Sequence, residues 1–182
     1  MAGPSHHTLA LPKLDRPVKL LIVIAPYYKD IADGQLAGAK TVLEEAGASY
    51  ELVEVPGALE IPVAIGIAHR QSNFDGYVAL GCVIRGETTH YETVCEESNR
   101  GITGLGLGGA CIGNCILTVE NHAQAAVRAD PAQMNKGGGA AAAALHLIAL
   151  TRRFGAPKGG IGFKPRGDSI QIAGDSEGPA IA

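Results

Sequence analysis

Four apolar stretches fix the plan of this chain: "VKLLIVIAPYY" (18–28), "SYELVEVPG" (49–57), "DGYVALGCVI" (75–84) and "ACIGNCILTV" (110–119). The first is a continuous, largely β-branched run, the pattern of a strand covered on both faces, which implies a parallel sheet. The third and fourth read as buried strands too. The second alternates Tyr50, Leu52, Val53 and Val55 with acids and stops at Pro56-Gly57. Between these runs lie segments with helical spacing. After Asp30, the residues Ile31, Leu36, Ala39, Val42 and Leu43 recur at roughly helical intervals up to Gly47, a suitable C-terminal cap. "ALEIPVAIGIAHRQ" and "THYETVCEESNRGITGL" follow the second and third strands. "ENHAQAAVRAD" is a short helix halted by Asp130-Pro131, since the residue before proline disfavours helical geometry. The Ala-rich "NKGGGAAAAALHLIALTRRF" is the last helix, with Arg152 and Arg153 at the end where cations suit the dipole.

Strict alternation of strands and helices, with right-handed crossovers, predicts a three-layer α/β/α sandwich around a four-stranded parallel, flavodoxin-like sheet. Residues 1–17 read as an extended N-terminal arm and 18–155 as the domain. Residues 156–182, rich in Gly, Pro and Ser without periodicity, read as a flexible C-terminal tail.

Composition narrows the function classes. A chain of 182 residues suits one domain, and its net charge of −3 with no basic stripe argues against nucleic-acid binding. No apolar run approaches the ~20 residues of a bilayer span, and the N-terminus lacks a basic start followed by a long apolar segment. A soluble, cytoplasmic protein without membrane contact is expected. Cys82, Cys95, Cys111 and Cys115 sit in apolar or helical patterns and read as buried reduced thiols. No two histidines have the spacing of a zinc site, so no metal is expected.

In open parallel sheets ligands bind beyond the carboxyl ends of the strands, where helix N-termini point. Those ends are Ala25–Tyr28, Pro56–Glu60, Cys82–His90 and Val119–Asn121, and the chemically capable clusters fall among them. Thr89-His90-Tyr91-Glu92 matches a capping box, which makes Thr89 an N-cap and puts His90 in the first helical turn. Free N–H groups from Gly86 to His90, at the positive end of the helix dipole, would suit a phosphate monoester. His90, beside that site, is a candidate proton acceptor. The same spacing equally describes an ordinary helix cap with an exposed histidine, and Arg85 with Glu87 reads as a solvated pair or a bridge between subunits. The "GLGLGG" run (104–109) follows a helix rather than a strand and no GxxxxGK[ST] is present, which disfavours NAD and ATP.

"VPGALEIP", "GCVIRGETTHYETV", "ILTVEN" and "NKGGGAAAAAL" occur in the order characteristic of the 6,7-dimethyl-8-ribityllumazine synthase family, which the chain resembles over roughly residues 18–154. That resemblance implies condensation of 5-amino-6-(D-ribitylamino)uracil with 3,4-dihydroxy-2-butanone 4-phosphate, without metal or organic cofactor. It assigns proton transfer to His90. The phosphate falls to the backbone of Glu87 and Thr88 with Arg128, the latter from a neighbouring subunit. Cys82, Val83 and Ile84 would present main-chain groups to the pyrimidine, Tyr27 would stack on its ring, and Ala58, Leu59 and Glu60 would meet the ribityl chain. Asn114 stands where many members carry a pocket-closing aromatic, and Lys136 is a weaker contributor.

Several positions depart from the commoner pattern: Tyr27 for Phe or Trp, Tyr28 for Asn, Leu59 and Asn114 for aromatics, and Glu87 for a small residue. These changes are expected to alter affinity more than chemistry, with the Glu87 carboxylate turned outward. The resemblance also implies a homo-oligomer with shared active sites and riboflavin synthase as a partner. Family members are pentamers or twelve pentamers closed into a shell. The long "ADPAQMNKGG" connection favours the isolated pentamer. A non-catalytic flavin or lumazine binder on the same fold, and another sugar-phosphate enzyme, are the competing readings.

Overall fold

The structure, a computed structural model, describes residues 9–155. The expected tail and the first eight residues of the arm lie outside that range. Strands β1 (Lys19–Ile24), β2 (Ser49–Glu54), β3 (Gly76–Ile84) and β4 (Ile112–Val119) form one parallel sheet in the order β2-β1-β3-β4. Helices α1 (Lys29–Glu45), α2 (Glu60–Gln71), α3 (His90–Leu107), α4 (His122–Ala129) and α5 (Lys136–Gly155) cover its two faces. The flavodoxin-like α/β/α sandwich expected from the alternation is the architecture found.

Side-chain alternation along the strands divides the core in two. Leu20, Ile22, Val78, Leu80, Cys115 and Leu117 face α1, α4 and α5, whereas Leu21, Val23, Tyr77, Ala79, Ile112 and Ile116 face α2 and α3. Both faces of β1 and β3 are buried, which explains their unbroken apolar runs. β2 is an edge strand, and Leu52 and Val53 are partly exposed.

The Ala-rich last helix owes its composition to close packing. Gly137, Gly138, Ala140, Ala141 and Ala144 are buried, and a Cβ on Gly113 of β4 would overlap the Ala140 carbonyl. Asn135, at φ 44°, caps α5 by accepting a hydrogen bond from Gly138 N at 3.1 Å. Gly47, at φ 67°, ends α1, with Ala48 N donating to Leu43 O at 2.9 Å.

Residues 9–17 contain no helix or strand, yet Leu11 and Leu14 pack against the core. Arg152 of α5 fixes this segment through the Asp15 carboxylate (3.1 Å) and the carbonyls of Arg16 (3.1 Å) and Pro17 (3.2 Å). Among the described residues, no helix is long and apolar enough to cross a membrane. All four cysteines are free thiols; Cys82, Cys111 and Cys115 are buried, whereas Cys95 is only half-buried on α3.

Candidate active site

A cavity of about 420 Å³ opens at the carboxyl ends of β1, β2 and β3. Its location follows from unequal strand lengths. β1 pairs with β3 only as far as Ile24 opposite Leu80, while β3 continues alongside β4 to Ile84 opposite Val119. Past Leu80 the β1-facing backbone edge of β3 therefore has no strand partner, and Cys82, Val83 and Ile84 line the cavity there. A free strand edge offers N–H and C=O groups at fixed spacing to a planar ligand with complementary donors and acceptors.

Three other walls complete the cavity. Tyr27 and Tyr28, after β1, form an edge-to-face pair with ring centroids 5.0 Å apart. Gly57, Ala58, Leu59 and Glu60 form the turn into α2, and Gly86, Thr88 and His90 form the turn into α3. Tyr27 is 75% exposed at the mouth. Tyr28 is half-buried, and its desolvation, followed by the charge of Tyr27, raises its hydroxyl pKa. Burial pushes the Cys82 thiol up to about 12, with Cys115 adding to the rise, so the thiol is a neutral wall rather than a nucleophile.

The capping box expected at α3 does not form. Thr89 has helical geometry (φ −68°, ψ −1°) and its side chain makes no cap hydrogen bond. An N-cap side chain reaches back to the first turn from non-helical backbone, typically extended, which Thr89 lacks. Glu92, the other half of the box, pairs with Arg85 instead, and that partner draws its carboxyl below the usual range. The nearest substitute is a long hydrogen bond of 3.4 Å from His90 N to Thr88 Oγ1. The first turn of this 18-residue helix is therefore left without the cap that would compete with an incoming anion. A Cβ at Gly86 would meet nothing within 4 Å, so the loop leaves room for close approach of a ligand.

Arg85 does not pair with Glu87, the partner suggested by sequence proximity. Its Nε donates to Glu120 Oε2 at 2.7 Å, its Nη1 pairs with Glu92, and its guanidinium lies 4.1 Å from the Tyr91 ring centroid.

Of the residues singled out from the sequence, Tyr27, Ala58, Leu59, Glu60, Cys82, Val83, Ile84, Thr88 and His90 meet at this cavity. Glu87, Asn114, Arg128 and Lys136 do not line it. Glu87 is exposed on the loop. Asn114 on β4 donates to Asn99 Oδ1 (2.7 Å) and accepts from Ile116 N (2.9 Å). Arg128 donates to the Gln124 carbonyl of its own helix at 2.9 Å, and Lys136 begins α5. Tyr28, at the β1 end already marked from the sequence, is a wall residue too, and Tyr91 and Val94 are wall residues absent from the expected set. Val94 lies four residues after His90 on α3, and that spacing alone places it on the same helix face.

The fold and cavity define a class: a flavodoxin-like α/β protein whose site pairs an open strand edge with a helix N-terminus and a histidine. The sequence model of the 6,7-dimethyl-8-ribityllumazine synthase family matches residues 17–152, and the chain belongs to that family. A 6,7-dimethyl-8-ribityllumazine synthase of Jannaschia sp. (strain CCS1) is 62% identical over 176 residues, covering 97% of this chain and 98% of the relative. Its counterpart in Novosphingobium aromaticivorans is 58% identical over 136 residues, 75% of this chain and 98% of that protein. The 6,7-dimethyl-8-ribityllumazine synthase 1 of Mesorhizobium japonicum is 48% identical over 162 residues, 86% and 99% of the two chains.

Proposed function

We propose that this protein condenses 5-amino-6-(D-ribitylamino)uracil with 3,4-dihydroxy-2-butanone 4-phosphate, giving 6,7-dimethyl-8-ribityllumazine, phosphate and two waters, a step of riboflavin biosynthesis. The observation that carries this reading is the single cavity in which the free edge of β3, the uncapped start of α3 and His90 converge. Cys82 to Ile84 read the pyrimidine edge, Tyr27 stacks on its ring, and Ala58, Leu59 and Glu60 meet the ribityl chain. Gly86, Thr88 and the N–H of Glu87 hold the phosphate beside His90.

The aminouracil is already a nucleophile, so the protein's tasks are modest. It holds amine and ketone in reacting geometry, moves protons through His90 as the imine forms and phosphate departs, and stabilises the leaving anion with N–H groups and the helix dipole. None of these tasks calls for a metal or organic cofactor.

Arg128 lies away from the cavity of its own chain, so in this reading it serves the cavity of an adjoining copy. Family membership supports the further reading of a homopentamer with shared sites, in a cytoplasmic setting and with riboflavin synthase as the consumer of the product. Sedimentation tests the assembly: a pentamer is expected, and a megadalton species would replace it with a closed shell. Turnover tests the function: mixing purified protein with both substrates should produce lumazine absorbance, whereas binding of riboflavin without turnover would make the protein a carrier.

A further inference from the structure

Arg85 ties together three points that the sequence keeps apart. Its main-chain N donates to the Val119 carbonyl at 3.0 Å, closing the last rung between β3 and β4. Its side chain then grips Glu120 just beyond β4 (2.7 Å) and Glu92 in the first turn of α3. Its guanidinium plane also lies 4.1 Å from the ring centroid of Tyr91, itself a wall of the cavity. Between these anchors runs the exposed loop Gly86–Thr89, within which the contact from His90 N to Thr88 Oγ1 is 3.4 Å long. The loop's position is thus set mainly at its ends, and Arg85 joins them.

We propose that Arg85 is a positioning residue for the phosphate subsite: its clamp on Glu92, Glu120 and Tyr91 sets the placement of the anion-binding loop and His90 relative to the β3 edge. Arg85 does not line the cavity and touches no reacting atom. Its charge faces two carboxylates, so it also keeps Glu92 and Glu120 from presenting uncompensated negative charge beside a bound phosphate. Lysine cannot replace it. Only a planar fork donates from separate nitrogens to two carboxylates while its face stacks on an aromatic ring. Exposed ion pairs add little to stability, so a merely structural role would leave substrate discrimination untouched.

This inference rests on the proposed condensation for its kinetic arm, and a binding arm tests it independently of turnover. In Arg85→Gln the KM for the butanone phosphate should rise and kcat/KM fall by about 10- to 100-fold, while the KM for the aminouracil stays within about twofold. In a titration with inorganic phosphate alone, Arg85→Gln should bind more weakly than the wild type by about tenfold. Arg85→Lys should restore only a minor part of either effect. Unmoved phosphate affinity, an equal rise in both KM values, or full rescue by lysine would overturn the proposal. Should Arg85→Gln fail to fold, Glu120→Gln opens one arm of the clamp from outside the cavity, and an unchanged phosphate affinity there has the same consequence. Wild-type protein that makes no lumazine would sink the functional reading, with the phosphate titration still deciding the role of Arg85.

Discussion

Replacing His90 by alanine separates chemistry from structure more cleanly than any other single change. The side chain is exposed at the first position of α3, and the hydrogen bond at this residue runs from its main-chain N to Thr88 Oγ1. Alanine keeps that N–H and is the better helix former, so the variant should match or slightly exceed the wild type in thermal stability. The chemistry should suffer. A positioned general base contributes typically 10²–10⁴-fold, and the aminouracil's own nucleophilicity places this site toward the lower end, a loss of about one to three decades in kcat. That corresponds to about 1.4–4 kcal/mol of barrier. The assay is steady-state lumazine formation, with circular dichroism and sedimentation confirming an unchanged fold and assembly. A variant with wild-type turnover would remove His90 from the mechanism. A loss of turnover matched by a loss of fold would make it a structural residue.

Further outcomes follow from packing and charge. Gly113→Ala forces a Cβ onto the Ala140 carbonyl, backbone against backbone, and should cost about 3 kcal/mol or more in denaturant unfolding; a loss under 1 kcal/mol would mean β4 and α5 separate more easily than their packing implies. Arg152→Ala removes charge-assisted hydrogen bonds to Asp15, Asp75 and two arm carbonyls and should destabilise by about 1–3 kcal/mol while speeding proteolysis within residues 9–17; an unchanged cleavage rate would show the arm is held by Leu11 and Leu14 instead. Cys82, pushed up to about 12 by burial, should resist alkylation at pH 8 in the native protein and react readily in denaturant. Because the native thiol holds its proton where the unfolded one has lost it, this group's contribution to stability is intact below about pH 9 and declines as pH rises through about 12. Rapid native labelling of Cys82 would contradict that burial.

The sheet was legible because buried parallel strands need continuous apolar runs, and β1 and β3 carry them. Strand order was less so: Leu52 and Val53 of β2 are as apolar as core residues, and only the register shows that they border the sheet. The rule that ligands gather at strand carboxyl ends puts Tyr27, Glu60, Cys82 and His90 in one region, and these four do line one cavity. What the sequence hid were contacts between distant positions. Arg85 finds Glu120 35 residues away in preference to Glu87 two residues away, and its second pair, with Glu92, leaves the capping box without its carboxylate. A capping motif is a local preference, and a charge-assisted partner brought in by the fold outcompetes it. Asn114 and Arg128 show the same limit: their partners are Asn99 and Gln124, and neither side chain lines the cavity that the motif resemblance assigned to them.

If one cavity performs a condensation whose leaving group is phosphate, both products must arise in the same reaction, and following them together tests this. Lumazine absorbance and released phosphate should rise together at one to one, and neither should appear when either substrate is withheld. Phosphate released without the aminouracil, or lumazine and phosphate formed out of step, would contradict the account.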